Sequence, residues 1–236
     1  MSIGSYANGK YNGGKNGDGM YQRIINLIPP HKVWVEACAG SAAITRKIYA
    51  AAQSFVIEIE PLQAGKLKKE LKDRAVVINS DFMTEIGRIV PAGIDTFIFA
   101  DPPYLKEVRT SQKDIYKIEW DTNDHRHFIN WLKEREEKIM ITHPVCDMYL
   151  YQLAHWNKIE YTYMSRGGLR NDCIWYNYTT PEKLHDYSYA GSTYTDRQRI
   201  KRKINREIEK LSMLPGIERN AIIAEINRYF GNDMPW

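Results

Sequence analysis

Residues 96–104 read Thr-Phe-Ile-Phe-Ala-Asp-Pro-Pro-Tyr, an apolar run that stops at an acid and two prolines. The first five residues predict a buried strand because they are aromatic, β-branched or small. The prolines forbid that strand to continue, since they lack the N–H that a sheet ladder needs. Open parallel sheets bind ligands outside the carboxyl ends of their strands, so Asp101–Tyr104 stands where chemistry is expected. A surface proline turn is the alternative interpretation.

Other apolar runs flank this stretch and alternate with helical patterns. They predict strands at residues 33–35, 54–60, 75–79, 138–142, 156–163 and 173–178. Helices are expected at residues 21–28, 62–73 and 125–136, and another from the glycine turn near Gly40 to about residue 52. This alternation predicts an α/β fold with a doubly wound, mainly parallel sheet and antiparallel strands towards the C-terminus.

Length and composition limit the class of protein. The 236 residues suit one α/β domain, or a compact core with a small appendage. Hydrophobic residues make up 43% of the chain, and mean hydropathy is −0.52, which argues against a membrane protein. No apolar run reaches the roughly 18 residues that span a bilayer, and no signal peptide is evident, so a cytoplasmic location is expected. Three scattered cysteines predict neither disulfides nor a metal site.

The character of the chain changes after residue 181. Residues 196–210 carry seven Lys or Arg against three acids, while Ile200, Ile204, Ile208 and Leu211 share one helical stripe that we expect to pack. Pro215-Gly216 ends this helix and a second follows at residues 217–230, which predicts a C-terminal helical hairpin. We therefore divide the chain into a sheet domain at residues 1–180 and a basic helical extension at residues 181–236.

The residue types after the central strand suit chemistry on an amino group. The Asp101 carboxylate and the Pro102 carbonyl can both accept hydrogen bonds from an amine, and Tyr104 offers a flat face to a base. Asp101, Pro102, Pro103 and Tyr104 are therefore the candidate catalytic residues. Amine methylation needs mainly such positioning, because a sulfonium methyl group is already a ready electrophile.

With these four residues the chain resembles the Dam-like adenine-specific DNA methyltransferases, whose catalytic signature is D-P-P-Y. Residues 11–15, Tyr-Asn-Gly-Gly-Lys, resemble the family's Y-x-G-G-K segment, which folds over the cofactor. Residues 35–40, Val-Glu-Ala-Cys-Ala-Gly, resemble its cofactor loop, (V/I)-E-P-F-x-G. Asp81-Phe82 resembles the D-F pair beside the cofactor adenine. The ordered set spans residues 10–178.

The resemblance implies a Rossmann-like methyltransferase fold at residues 1–180 with S-adenosylmethionine as cofactor. It also implies a flipped-out adenine in DNA, expected to be double-stranded, as the methyl acceptor. Glu58 stands where relatives carry an acid on the cofactor ribose, although Glu60 points to the same side of the strand. For Lys15 a surface position, and for Asp81-Phe82 a plain strand-to-loop junction, are the alternatives. The implied cofactor-binding residues are Tyr11, Lys15, Glu36, Ala39, Gly40, Glu58, Asp81, Phe82 and Asp101.

A nucleic-acid substrate requires basic residues along its backbone. The target-recognition region is expected either in the polar segment at residues 106–124 or in the C-terminal extension. The candidate nucleic-acid contacts are Arg109, Lys113, Arg166, Arg170, Arg197 and Lys201, and a solvated charged face is the alternative for the last two. The oligomeric state stays open.

Two other functions remain open at this stage. One is methylation of adenine in RNA. The other is a nucleic-acid-binding protein of the same fold that has lost activity, which the departures from the family loop at Ala37, Cys38 and Ala42 would favour.

Overall fold

A single seven-stranded sheet organises the molecule. The computed structural model describes residues 14–17, 19–90, 95–109, 113–165 and 168–231. The elements follow in chain order: α1 (Met20–Ile25), β1 (Val33–Ala37), β2 (Gln53–Ile57), α2 (Pro61–Glu70), β3 (Val76–Ile78), α3 (Phe82–Ile89), β4 (Thr96–Ala100), a 3₁₀ turn (Lys106–Val108), α4 (Thr122–Lys133), β5 (Lys138–Thr142), α5 (Asp147–Gln152), β6 (Asn157–Ser165), β7 (Gly168–Tyr176), α6 (Tyr194–Ser212) and α7 (Gly216–Phe230).

The strand order is β3-β2-β1-β4-β5-β7-β6. Strands β1 to β5 pair in parallel, whereas β7 runs antiparallel to both β5 and β6. This is the order of the Rossmann-like methyltransferase fold, so the predicted fold class is confirmed. The central strands β1 and β4 are buried along their whole length, as expected for strands covered on both faces.

The strand order in the sheet reverses between β1 and β4, and this reversal determines where the candidate site lies. Strand β1 leads outward to β2 and β3 on one side, and β4 leads to β5 on the other. Ala37 pairs with Ala100 at the carboxyl ends of these two strands. The loops that follow them therefore start side by side, at the position where open α/β sheets bind ligands.

The helix predicted after the glycine turn is wrong. Residues 40–47 form successive turns instead. The Glu36 carboxylate accepts the backbone N–H of Thr45 at 2.6 Å and that of Ile44 at 3.4 Å, which removes donors from the bonds a helix needs. Ala42 also adopts a left-handed φ of 51°, which costs a non-glycine residue about 1 kcal/mol.

The C-terminal extension consists of the two predicted helices, but its apolar stripe is not buried. No residue of α6 or α7 is buried, and Ile204 and Ile208 are 46% and 60% exposed. The segment before them is held differently: Asn26 donates to the carbonyls of Tyr189 and Gly191 at 2.8 and 2.9 Å. Packing against the sheet domain thus continues to about residue 191.

Among the described residues, no helix is both long enough and apolar enough to cross a membrane.

A truncated chain ending at Ser192 tests this description of the extension. Because α6 and α7 contribute no buried residue, we expect its thermal unfolding midpoint to lie within about 3 °C of that of the full chain, the shift that about 1 kcal/mol gives at this size. Calorimetry measures both midpoints. A midpoint lowered by about 8 °C or more would show that the helices stabilise the sheet.

Candidate active site

A cleft opens at the carboxyl edge of the sheet, between the loops that follow β1 and β4. The space inside the cleft and its open mouth together amounts to about 1050 Å³. Both polar groups and apolar side chains line it. The lining residues that matter below are Lys15, Glu36, Cys38, Ala39, Gly40, Glu58, Ile59, Glu60, Asp81, Phe82, Asp101, Pro103, Ile118 and Trp120.

The loop after β1 has an unusual backbone. Cys38, Gly40 and Ala42 all have positive φ, at 52°, 53° and 51°, although only glycine adopts this region without strain. Two buried acids hold the loop. The Glu58 carboxylate accepts the N–H of Gly40 at 2.7 Å, and that of Glu36 accepts both the N–H and the hydroxyl of Thr45. Strained backbone fixed in this way is common at ligand sites.

Glu58 and Glu60 both line the cleft but differ in their partners. Glu58 is buried, and its carboxylate also accepts the N–H of Glu60 at 2.9 Å. Burial raises the pKa of Glu58 above its ordinary value. Glu60 caps the start of α2 and pairs with Lys117 at 3.0 Å. Glu58, which directly follows β2, thus has no cationic partner among the described ion pairs, whereas Glu60 has Lys117.

Asp81 and Phe82 follow β3 at the same edge. Asp81 caps α3 by accepting the N–H of Met83 at 2.7 Å, so the strand-to-helix junction is one of its roles. Phe82 is buried and stacks at 6.3 Å from the ring of Trp120. Asp81, Phe82 and Trp120 all line the cleft, and the two aromatic rings form one part of its wall.

Asp101 lies at the start of the loop after β4, with one carboxylate oxygen fully engaged. Its Oδ1 accepts Lys15 Nζ at 2.6 Å and the Thr142 hydroxyl at 2.7 Å. No described residue donates a hydrogen bond to Oδ2. The side chain is 19% exposed, whereas that of Lys15 is only 4% exposed. The lysine is thus a buried part of the site and not a surface residue.

The Tyr104 hydroxyl is fixed at both of its hydrogen-bonding positions. It accepts Lys15 Nζ at 2.7 Å and donates to Asp172 Oδ2 at 2.6 Å. Burial, followed by the charges of Asp172 and Asp101, raises the pKa of Tyr104 well above its ordinary value, so the phenol stays neutral. These two bonds fix the position of the hydroxyl oxygen.

Lys15 links Asp101, Tyr104 and Asp172. Burial alone would lower its pKa, but the charges of Asp101 and Asp172 outweigh burial and raise the pKa of Lys15 above the ordinary value. The ammonium therefore stays charged between two carboxylates, at 2.6 Å from Asp101 and 3.9 Å from Asp172.

His143 packs beside this network, but both of its ring nitrogens are occupied. Nε2 accepts the N–H of Leu105 at 3.2 Å, and Nδ1 lies 2.7 Å from the Pro144 carbonyl. Burial lowers the pKa of His143 to about 3. The neutral ring thus supports the loop after β4, and no proton transfer is assigned to it.

Arg109 lies in the interior, contrary to its expected place on a nucleic-acid surface. Its side chain is 4% exposed, and the guanidinium donates to the Tyr104 carbonyl at 2.5 Å and to Glu119 at 2.6 Å. Glu119 in turn accepts the N–H groups of Ile115 and Tyr116. Arg109 therefore joins the loop after β4 to the segment at residues 113–120.

That segment, which we expected to recognise the target, lines the cleft. Ile118 and Trp120 contribute apolar side chains to its wall, and Lys117 reaches Glu60 across it. At least this described part of the 106–124 segment is a wall of the cleft.

The other sequence candidates lie as follows. Lys113 and Lys201 are exposed, and Arg170 and Arg197 are partly exposed, so each can reach a polyanion. Tyr11 and Arg166 lie outside the described residues. Pro102 is buried between Asp101 and Pro103.

Sequence reasoning missed two residues of the site, Thr142 and Asp172. Asp172 is 2% exposed and sits in β7, which the apolar pattern had suggested starts at Cys173. An acid in the middle of a strand was the available signal. Among the described residues, no group of acids, histidines and cysteines is placed to hold a metal.

No protein-family model and no curated protein sequence matches the chain. Among solved structures, the chain is similar to the 23S rRNA methyltransferase ErmE, with 12% identity over 86% of this chain and 91% of that one and a TM-score of 0.45. It is also similar to M. capricolum TrmK in complex with S-adenosylhomocysteine, with 10% identity over 89% of this chain and 96% of that one and a TM-score of 0.46.

A third similar structure is an rRNA methylase from Streptococcus thermophilus, with 11% identity over 66% of this chain and 93% of that one and a TM-score of 0.43. None of these similarities bears on the activity of this chain, which is inferred from the geometry of its own site.

Replacing Arg109 tests its interior role. Arg109→Met leaves Glu119 Oε2 and the Tyr104 carbonyl without the guanidinium donor, so we expect the free energy of unfolding to fall by about 3 kcal/mol. Arg170→Met is the matched control, and a partly exposed arginine of this kind should cost less than about 0.5 kcal/mol. Urea denaturation measures both. Equal losses in the two variants would contradict a supporting role for Arg109.

Proposed function

We propose that this chain is an S-adenosylmethionine-dependent methyltransferase that acts on the exocyclic amino group of adenine in DNA. One observation carries the proposal: Asp101 presents a carboxylate oxygen without a hydrogen-bond donor among the described residues, at the wall of the cleft at the carboxyl edge of the sheet. Lys15 and Thr142 hold the other oxygen and so fix the direction of the carboxylate.

The residues of the cleft fit the proposed donor part by part. Gly40 lets the backbone come close to a ligand, since a side chain is absent there. Glu58 offers a carboxylate suited to the two hydroxyls of a ribose. Phe82 and Trp120, together with Ile59, form an apolar wall suited to a purine ring. When bound, S-adenosylmethionine supplies an electrophilic methyl group on a positively charged sulfur.

The chain's own residues then act mainly by positioning. The adenine amine is a poor nucleophile because its lone pair is delocalised into the ring. Hydrogen bonds from the amine to Asp101 Oδ2 and to the Pro102 carbonyl favour a tetrahedral nitrogen, which restores that lone pair. Tyr104 follows the lining residue Pro103 and is fixed at its hydroxyl by Lys15 and Asp172, and we expect its ring to stack on the base.

Charge also favours the reaction at the corner formed by Lys15, Asp101 and Asp172 beside the cleft. Positive charge develops on the amine nitrogen as it is methylated, and the Asp101 carboxylate stabilises it in a partly buried site where electrostatic interactions are strong. The methylated nitrogen must finally lose a proton, and Asp101 Oδ2 is the base in reach of it. The intact Asp101 and Tyr104 contacts argue against an inactive protein, despite the altered Ala37, Cys38 and Ala42.

A base in a duplex has to leave the stack to enter such a site, at a cost of a few kcal/mol. Basic residues holding the backbone offset this cost, and Arg170 is the candidate nearest the corner, because it is two residues before Asp172 on the same face of β7. Lys113, Arg197 and Lys201 are candidates for more distant phosphates. We expect binding that weakens as salt concentration rises.

A methyl-transfer assay tests the proposal. Radiolabelled S-adenosylmethionine is incubated with the full chain and with genomic DNA from cells lacking adenine methylation, or with total RNA. We expect label on adenine of DNA, and a loss of roughly 10²–10³-fold or more in Asp101→Ala, the scale of removing a transition-state contact. Asp73→Ala, which removes an exposed acid, is the matched control and should keep wild-type activity.

The outcomes separate the parts of the proposal. Label on RNA alone would contradict the substrate and leave the chemistry standing. Undiminished label with Asp101→Ala would contradict the role of the corner, and absence of label from both nucleic acids would contradict the function.

A further inference from the structure

Asp172 is a buried carboxylate that strand β7 does not need in order to fold. Its Oδ2 accepts the hydroxyls of Tyr104 at 2.6 Å and Tyr161 at 3.2 Å, and its Oδ1 accepts the N–H of Cys173 at 2.9 Å. A buried acid is costly unless its surroundings compensate it. Sheet pairing uses only backbone groups, so the acid itself calls for another explanation.

The hydrogen-bond pattern indicates that Asp172 is ionised. The Tyr104 oxygen accepts a hydrogen from Lys15, so its own hydrogen is donated onward, and Asp172 Oδ2 is the acceptor. Every recorded partner of the Asp172 side chain is a donor, which suits a carboxylate and not a carboxylic acid. Burial, together with the Asp101 charge, raises the pKa of Asp172 above its ordinary value, although the Lys15 charge and the Tyr104 bond oppose this rise.

The charged groups of the corner are Lys15, Asp101 and Asp172. Lys15 and Asp101 are in direct contact at 2.6 Å and cancel each other. Asp172 lies 3.9 Å from the same ammonium, so two carboxylates share one cation. The corner formed by Lys15, Asp101 and Asp172 therefore carries one net negative charge. Without Asp172 it would be neutral.

We propose that Asp172 is a positioning residue that keeps this corner net negative, so that the site prefers a positively charged methyl donor to its neutral product. This inference rests on the proposed function. In the reaction the bond from sulfur to methyl breaks and sulfur keeps the electron pair. The amine lone pair forms the new bond to carbon, and the nitrogen then loses a proton.

The positive charge thus passes from sulfur to nitrogen while it stays beside the corner. A net negative charge favours both the bound donor and the charged nitrogen, and it offers nothing to the neutral thioether that remains. Asp172 acts through Lys15 and Tyr104, since it does not itself line the cleft.

Binding of two ligands that differ in charge tests the proposal. Calorimetric titration of the full chain gives dissociation constants for S-adenosylmethionine and S-adenosylhomocysteine, and their ratio measures charge preference. Asp172→Asn removes the charge and keeps an acceptor oxygen for Tyr104, while an amide NH2 replaces the oxygen that accepts the Cys173 N–H. We expect it to reduce the preference for the charged ligand about tenfold relative to wild type.

Two further variants serve as controls. Asp186→Asn removes another buried acid, which accepts the N–H groups of Tyr49 and Ser188 outside the site, and should keep the wild-type ratio. Asp172→Ser is a second neutral variant, which carries the same expectation if the asparagine variant does not fold. A ratio within twofold of wild type in a folded neutral variant would overturn the proposal.

Kinetics give an independent readout. We expect kcat of Asp172→Asn at saturating donor to fall at least about tenfold while KM for DNA changes less than about threefold. A merely structural role would raise KM for DNA together with the loss of kcat. If the wild-type chain binds the donor yet transfers no methyl group, the proposed function fails, and the ratio of dissociation constants still decides the role of Asp172. If it binds neither ligand, both fail.

Discussion

The buried ammonium group of Lys15 is the interaction on which the site depends. It contacts Asp101 and Tyr104 from the loop after β4 and lies close to Asp172 in β7. Without a cation at this point, two carboxylates would face each other with little access to water, which is strongly unfavourable. The segment that carries Lys15 thereby joins the loop after β4 to the middle of β7, a strand that is not a neighbour of β4 in the sheet.

The sheet explains why these groups can meet at all. The order reverses between β1 and β4, so the loops after both strands open onto one cleft. Glu36 and Glu58 then hold the loop after β1 through its backbone N–H groups, and Arg109 holds the loop after β4 through the Tyr104 carbonyl. Glu36, Glu58 and Arg109 thus each fix a backbone segment beside the cleft.

The sequence predicted the parts of the molecule that depend on local pattern. The run at residues 96–100, the prolines after it and the alternation of strands and helices were sufficient for the fold and for the place of Asp101. The helix predicted in the loop after β1 was wrong because the decisive contact, between Glu36 and Thr45, joins residues nine positions apart. Arg109 was misplaced, and Asp172 missed, because nothing in a linear pattern shows that a charged side chain will meet its counter-charge in the interior.

The central claim is that the cleft beside Asp101 binds the methyl donor. A crystal structure of the full chain with S-adenosylhomocysteine tests it most directly. The account predicts that the ribose hydroxyls contact Glu58, that the purine lies along Phe82 and that the sulfur faces Asp101. A ligand bound elsewhere, or a cleft left empty at millimolar ligand, would contradict it.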